Sequence, residues 1–208
     1  MSYIKILENF PQLDFNQVQK IKSLKSIYYD FNKKINLISR KDFDFFYERH
    51  VLHSLSLTKI IYFKDESDIM DLGTGGGFPG IPLAIYYPYV NFFLIDSIKK
   101  KTDCLDQIVK KLNLNNVTII NSRAEDLNLK FDFVISRAVA PMNKLYKWSN
   151  KKIKIKSEHK VKNGLICLKG GDMENEFKLF KKKCKVYNIS DFFKDDFFET
   201  KKILHCPI

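Results

Sequence analysis

The segment Asp71-Leu-Gly-Thr-Gly-Gly-Gly-Phe-Pro-Gly80 constrains this chain more than any other stretch of it. An apolar pair, Ile69-Met70, leads into an acid and then into five glycines within eight positions. Glycine has no Cβ and tolerates positive φ, so such a turn lets main chain come very close to a ligand. Pro79 and Pro82 follow, and proline suits the first turn of a helix, where its missing N–H costs nothing. The segment reads as strand, glycine turn and helix start, the geometry of a nucleotide-type cofactor site in an α/β fold.

The rest of the chain agrees with such a fold. It has 208 residues, 45% of them hydrophobic, which suits one globular unit. Residues 14–33 place Val18, Ile21, Leu24, Ile27 and Phe31 on one helical stripe, with Asp14 as N-cap. Asn36 to Lys41 reads as a loop, and residues 42–62 as a second helical pattern. From Asp68 the pattern alternates. Candidate strands are Asp68–Leu72, Asn91–Asp96, Val117–Asn121, Phe131–Ser136, Leu165–Lys169, Lys185–Ile189 and Lys202–Cys206. A helix over Lys99–Leu112 lies between the second and third. The expectation is an α/β, Rossmann-like fold with a mostly parallel seven-stranded sheet and helices on both faces. Residues 1–65 form a helical N-terminal extension and residues 66–208 the cofactor-binding domain, within one globular unit.

Bulk features bound the setting. Met1 to Gln19 lacks the pattern of a signal peptide, and the most apolar stretch, Ile81–Ile95, is broken by Pro82, Pro88 and Asn91. No membrane association and a cytoplasmic location are expected. Cys104, Cys167, Cys184 and Cys206 form no C-x-x-C pair, so neither a metal site nor a disulfide framework is expected, only reduced thiols. The net charge of +12 suits an anionic partner such as nucleic acid. Only four of the 36 basic residues are arginine, though, in a chain rich in Lys, Asn, Ile, Phe and Tyr. That is the mark of an A/T-biased coding sequence, so charge alone leaves the partner open. Lys151–Lys156 reads as an exposed basic loop or helix end.

The glycine segment allows two cofactor classes. Gly75-Gly-Gly77-Phe-Pro-Gly80 matches G-x-G-x-x-G, the dinucleotide pattern. Three features favour S-adenosylmethionine instead. Asp71 precedes the loop; Gly73-Thr-Gly75-Gly-Gly77 has G-x-G-x-G spacing; and Pro79 removes a backbone donor that a pyrophosphate would use. Asp96, closing the second strand, suits the ribose hydroxyls, with helix capping as its ordinary alternative. Ala124-Glu125, after the third strand, suits the adenine edge, or is a plain turn. Arg137, ending the fourth strand in Ser136-Arg137-Ala138, suits an anion: the cofactor carboxylate or a substrate phosphate.

These residues resemble a known family. The run Asp71 to Ala84 is similar to the signature of the small-subunit ribosomal RNA methyltransferase G family, formerly glucose-inhibited division protein B. Asn36-Leu-Ile-Ser39 and Glu48-Arg-His-Val-Leu-His-Ser-Leu55 resemble its N-terminal motif. Ser122-Arg-Ala-Glu125, Ser136-Arg-Ala138 and Leu168-Lys-Gly170 follow in the expected order. The resemblance implies a class I methyltransferase that uses S-adenosylmethionine to methylate N7 of one guanosine in the 530-loop region of 16S rRNA. It implies cofactor contacts by Gly73, Phe78, Ala124, Glu125 and Arg137, beside Gly75 and Asp96 from the residues themselves. It also implies the small ribosomal subunit as partner. A monomer is favoured. The basic tail that relatives often carry has no counterpart after Cys206-Pro-Ile208.

The chemistry fits. Guanine N7 is a free acceptor on the major-groove edge. It has no proton to lose, so no general base and no catalytic side chain is expected; alignment of N7, methyl and sulfur is the task. An adenine-amine enzyme would carry an Asn/Asp-Pro-Pro-Tyr-like element where this chain has Ser136-Arg-Ala138, and no cysteine follows a proline as in cytosine-C5 enzymes. Arg49-His50, Lys99 to Lys101, Arg137, Lys144 and Lys169 are candidate phosphate contacts; Tyr146 and Trp148 are candidate stacking platforms, Trp148 being more often a core residue. The alternatives are a methyltransferase acting on a protein or small molecule, a non-catalytic ribosome-binding factor and a dinucleotide oxidoreductase.

Overall fold

The computed structural model describes residues 2–137, 139–171, 180 and 183–208. Seven strands form one sheet in the order β3-β2-β1-β4-β5-β7-β6. They are β1 (Asp68–Leu72), β2 (Asn91–Asp96), β3 (Val117–Asn121), β4 (Phe133–Arg137), β5 (Gly164–Gly170), β6 (Lys185–Asn188) and β7 (Lys201–Pro207). β1 to β5 run parallel, while β7 is antiparallel to both its neighbours. β1, β2 and β3 begin and end where the apolar runs do; β4 starts two residues late because Phe131 is held in an isolated bridge to Ile153.

Strand residues alternate between two apolar layers. Ile69, Phe92, Leu94, Phe133 and Ile135 face one; Met70, Ile95, Val134 and Leu165 face the other. The first layer is covered by α1 (Ile4–Asn9), α2 (Phe15–Asn32), α4 (Gly80–Tyr86) and α5 (Lys99–Lys111), the second by α6 (Met142–Asn150). Central strands covered on both sides need near-continuous apolar sequence, which Phe92-Phe-Leu-Ile95 supplies. α2 begins with a capping box, Asp14 and Gln17 each holding the other's backbone N–H. Its buried stripe is Ile21, Leu24, Tyr28 and Phe31, so Tyr28 takes the place expected for Ile27. No helix among the described residues is long and apolar enough to cross a membrane.

Three expectations need correction. Residues 42–62 are not one regular helix. A 3₁₀ segment (Arg40–Phe45) leads into a π turn (Tyr47–Leu52), a short α3 (His53–Leu55) and a second 3₁₀ segment (Ser56–Lys59). Aromatic packing of Phe43, Phe46 and Tyr47 overrides the simple period there. The four cysteines are not all reduced: Cys184 and Cys206 face each other across the antiparallel β6–β7 pair and form a disulfide. Lys151–Lys156 is not uniformly exposed. Lys152 is buried and donates to the Leu127 carbonyl, and Lys154 bridges Asp68 and Asp132.

Candidate cofactor site

β1 lies between β2 and β4, the chain passing from β1 outward to β2 and β3 and returning to β4 on its other side, and a crevice opens at the carboxyl ends where the order reverses. A cavity of about 500 Å³ lies there, within the range of small-molecule sites (about 300–1,000 Å³). Gly73, Gly75, Phe78, Asp96, Ala124, Glu125 and Arg137, dispersed over 65 positions of sequence, all line it. Ala138, the last residue of the Ser-Arg-Ala motif, lies outside the described residues.

Asp71 shapes the turn from inside. Its Oδ2 accepts from Thr74 Oγ1 (2.7 Å) and from the Gly80 N–H (2.8 Å). The residue is fully buried, and burial pushes its carboxyl up to about 6. Its Oδ1 is buried without a partner among the described residues. Gly75 adopts φ +58°, and a Cβ there would meet nothing nearer than the Gly73 carbonyl at 3.8 Å; it borders open space. Gly77, at φ +85°, is packed instead: a Cβ would fall 2.6 Å from Ile81 and 2.9 Å from the Tyr28 hydroxyl. That hydroxyl donates to the Gly76 carbonyl (2.7 Å), tying α2 to the turn.

Asp96 is already engaged. Oδ2 accepts from the Gly75 N–H and Oδ1 from the Ile98 N–H, each at 2.9 Å. Each carboxylate oxygen keeps a second lone pair for a ligand hydroxyl. Arg137 reaches across to the N-terminal segment. Its Nη1 donates to the Arg49 carbonyl (3.1 Å), its Nη2 to His50 Nδ1 (3.0 Å), and the guanidinium lies 5.1 Å from the Phe78 ring centre. Burial lowers it to about 10, Asp71 opposing, so it stays charged at neutral pH.

Arg137 also borders a second cavity of about 510 Å³, which brings together Arg49, His50, Lys169, Lys201 and Phe197. Four candidate phosphate contacts, Arg49, His50, Arg137 and Lys169, therefore converge. Lys101 lines the first cavity, Lys99 pairs with Asp103, and Lys144 lines neither. Trp148 is half-buried against the second apolar layer and also borders the first cavity; Tyr146 packs on Phe180 at 5.7 Å. Sequence reasoning missed Tyr28 and Val139, the latter filling the space beside Gly73. The spacing 21-24-28-31 carried the signal for Tyr28; nothing local carried one for Val139.

Comparisons with known proteins identify the family. The profile of the family described as rRNA small subunit methyltransferase G matches residues 17–203. Two proteins named ribosomal RNA small subunit methyltransferase G match almost end to end. The one from Flavobacterium psychrophilum is 48% identical over 98% of this chain and 97% of its own. The one from Phocaeicola vulgatus is 49% identical, with the same coverage of both chains. Among solved structures, an S-adenosylmethionine-dependent methyltransferase from Aquifex aeolicus superposes with a TM-score of 0.54, at 15% identity, covering 74% of this chain and 89% of the other. That likeness shows the fold: a class I methyltransferase architecture. Profile and relatives together show that the chain belongs to the rRNA small subunit methyltransferase G family.

Proposed function

We propose that this chain transfers a methyl group from S-adenosylmethionine to N7 of a guanosine in the 530-loop region of 16S rRNA. Family membership supports rRNA of the small subunit as substrate. The observation that carries the cofactor reading is the convergence of Gly73, Gly75, Phe78, Asp96, Ala124, Glu125 and Arg137 on one cavity. The turn leaves room for a ligand against its main chain: open space stands where Gly75 would carry a Cβ.

Each residue has a task in that reading. Asp96 holds the ribose while bracing the turn through Gly75. Ala124 and Glu125 meet the adenine edge, and Arg137 holds the carboxylate. When bound, the sulfonium supplies an activated methyl; the protein aligns it with N7 and needs no proton acceptor. Residues 1–65 serve as a helical extension that braces the site of the 66–208 domain from behind, through Tyr28 on the Gly76 carbonyl and His50 on Arg137. The partner is the small ribosomal subunit, met by a monomer in the cytoplasm.

Calorimetry with S-adenosylmethionine, followed by methyl transfer to 30S particles and mapping of the modified base, tests the proposal. Binding without transfer to rRNA, or a methyl on another atom, removes the N7 reading; no binding by a folded sample removes the site. The cationic second cavity, with Arg49, Lys169 and Lys201, favours an RNA acceptor over a protein or small molecule.

A further inference from the structure

Family membership leaves open why the N-terminal segment abandons regular helix at Tyr47–Leu52. A π turn breaks the i→i−4 ladder and is found disproportionately at functional sites. Here it presents two acceptors to one guanidinium: the Arg49 carbonyl to Arg137 Nη1 and the His50 Nδ1 to Arg137 Nη2.

We infer that His50 is a positioning residue: through Nδ1 it fixes the guanidinium of Arg137, and with it the wall common to the two cavities.

Arginine carries only donors, so Nδ1 has to accept, and the proton of the neutral ring sits on Nε2. A protonated His50 would have no lone pair to offer. Burial, then the charges of Arg137 and Arg49, drive its pKa down to about 3 against the pull of Asp42, so the acceptor persists at neutral pH. The ring is itself clamped, 5.2 Å from Phe78 and 6.1 Å from Phe46. Phe78 in turn lies beneath the guanidinium and lines the cofactor cavity. The three groups form a closed set: His50 orients Arg137, Phe78 packs against both, and Arg137 borders the cofactor cavity on one side and the cationic cavity on the other. Without the Nδ1 acceptor, one N–H of a guanidinium buried enough to be shifted to about 10 has no partner, and the group turns away to find one.

The inference rests on the reading that Arg137 contacts S-adenosylmethionine. The test compares His50→Asn, whose side-chain oxygen overlays Nδ1, with His50→Gln, whose oxygen overlays Nε2, each alone and with Arg137→Ala. Both replacements are polar and no larger than histidine, so both are expected to fold, as melting would verify. The readout is the dissociation constant for S-adenosylmethionine by calorimetry. His50→Gln is expected to weaken binding by about ten- to a hundredfold and His50→Asn to stay within about threefold of wild type, as loss or retention of a hydrogen bond to a charged group requires. In the Arg137→Ala background the two are expected to be equal. Equal affinities for the single variants overturn the inference, as does an undiminished His50→Gln effect once Arg137 is gone. Failure of the wild type to bind would instead defeat the cofactor site itself.

Discussion

Replacing Gly75 separates the ligand's space from the protein's own packing. At φ +58° an L side chain pays about 1–2 kcal/mol of backbone strain. Its N–H is held by Asp96, so the turn does not relax away from that angle. Apart from strain, alanine or valine finds no protein atom nearer than 3.8 Å at its Cβ. The fold should therefore lose only the strain, which lowers the melting temperature by about 2–8 °C for a chain of this size. The new side chain stands where the cofactor's main-chain contact is proposed. Overlap of that kind costs about 1–3 kcal/mol for added methyl groups, or roughly five- to a hundredfold in affinity, with Gly75→Val at or beyond the upper end. Gly77→Ala is the control. Its Cβ would fall 2.6 Å from Ile81 Cδ1, 2.9 Å from the Tyr28 hydroxyl and 3.0 Å from Leu105, so its damage goes to stability. Calorimetric titration with S-adenosylmethionine, paired with melting curves, reads both quantities. A Gly75→Val protein that binds as tightly as wild type would show that the open space beside Gly75 is not the ligand's.

Four further outcomes are expected. Arg137→Ala weakens S-adenosylmethionine or rRNA binding by roughly 1.5–3 kcal/mol if its guanidinium makes one charge-assisted hydrogen bond, measured by titration at constant salt. Asp71 has its folded pKa raised to about 6 from an unfolded 3.8, so the folded state holds more protons between those values and stability falls as pH rises through that window. Urea midpoints from pH 4 to 8 should show this slope, worth roughly 3 kcal/mol at most, and Asp71→Asn should abolish it while the amide oxygen keeps both hydrogen bonds of Oδ2. Reducing the Cys184–Cys206 bond, which spans 22 positions, should cost about 3 kcal/mol by loop entropy. Thiol titration of the unfolded chain should count two free thiols before reduction and four after. Methyl transfer to 30S particles should fall steeply with added salt if lysines and Arg49 meet phosphates; a flat response points to a non-RNA acceptor.

Much of this was legible in the chain because local chemistry dictates it. The bounds of β1, β2 and β3, the Asp14 cap and the glycine turn each follow from short-range rules, and the strand ends carry the site residues by topology alone. What resisted reading is set by contacts distant in sequence. Val139 fills the space beside Gly73, and Trp148, packed against the second apolar layer, also reaches the cavity rim, only because the sheet brings four strand ends together. The π turn answers to Arg137, which is 88 residues from Arg49. The disulfide depends on β6 and β7 pairing antiparallel at the sheet edge, which no cysteine spacing announces. Asp71 was visible as an acid before glycines, yet its service as the internal brace of the turn appears only once Thr74 and Gly80 curl back onto it.

Tyr28 belongs to two systems at once. Its ring is wholly enclosed among Phe46 and Phe78, and its hydroxyl grips the carbonyl of Gly76. Loosening α2 therefore slackens the glycine loop proposed to hold the cofactor, even though no residue of that helix borders the cavity. Variants selected for altered thermal tolerance in residues 15–32 will carry altered affinity with them, and a search for tighter binders can profitably begin in a helix that never meets the ligand.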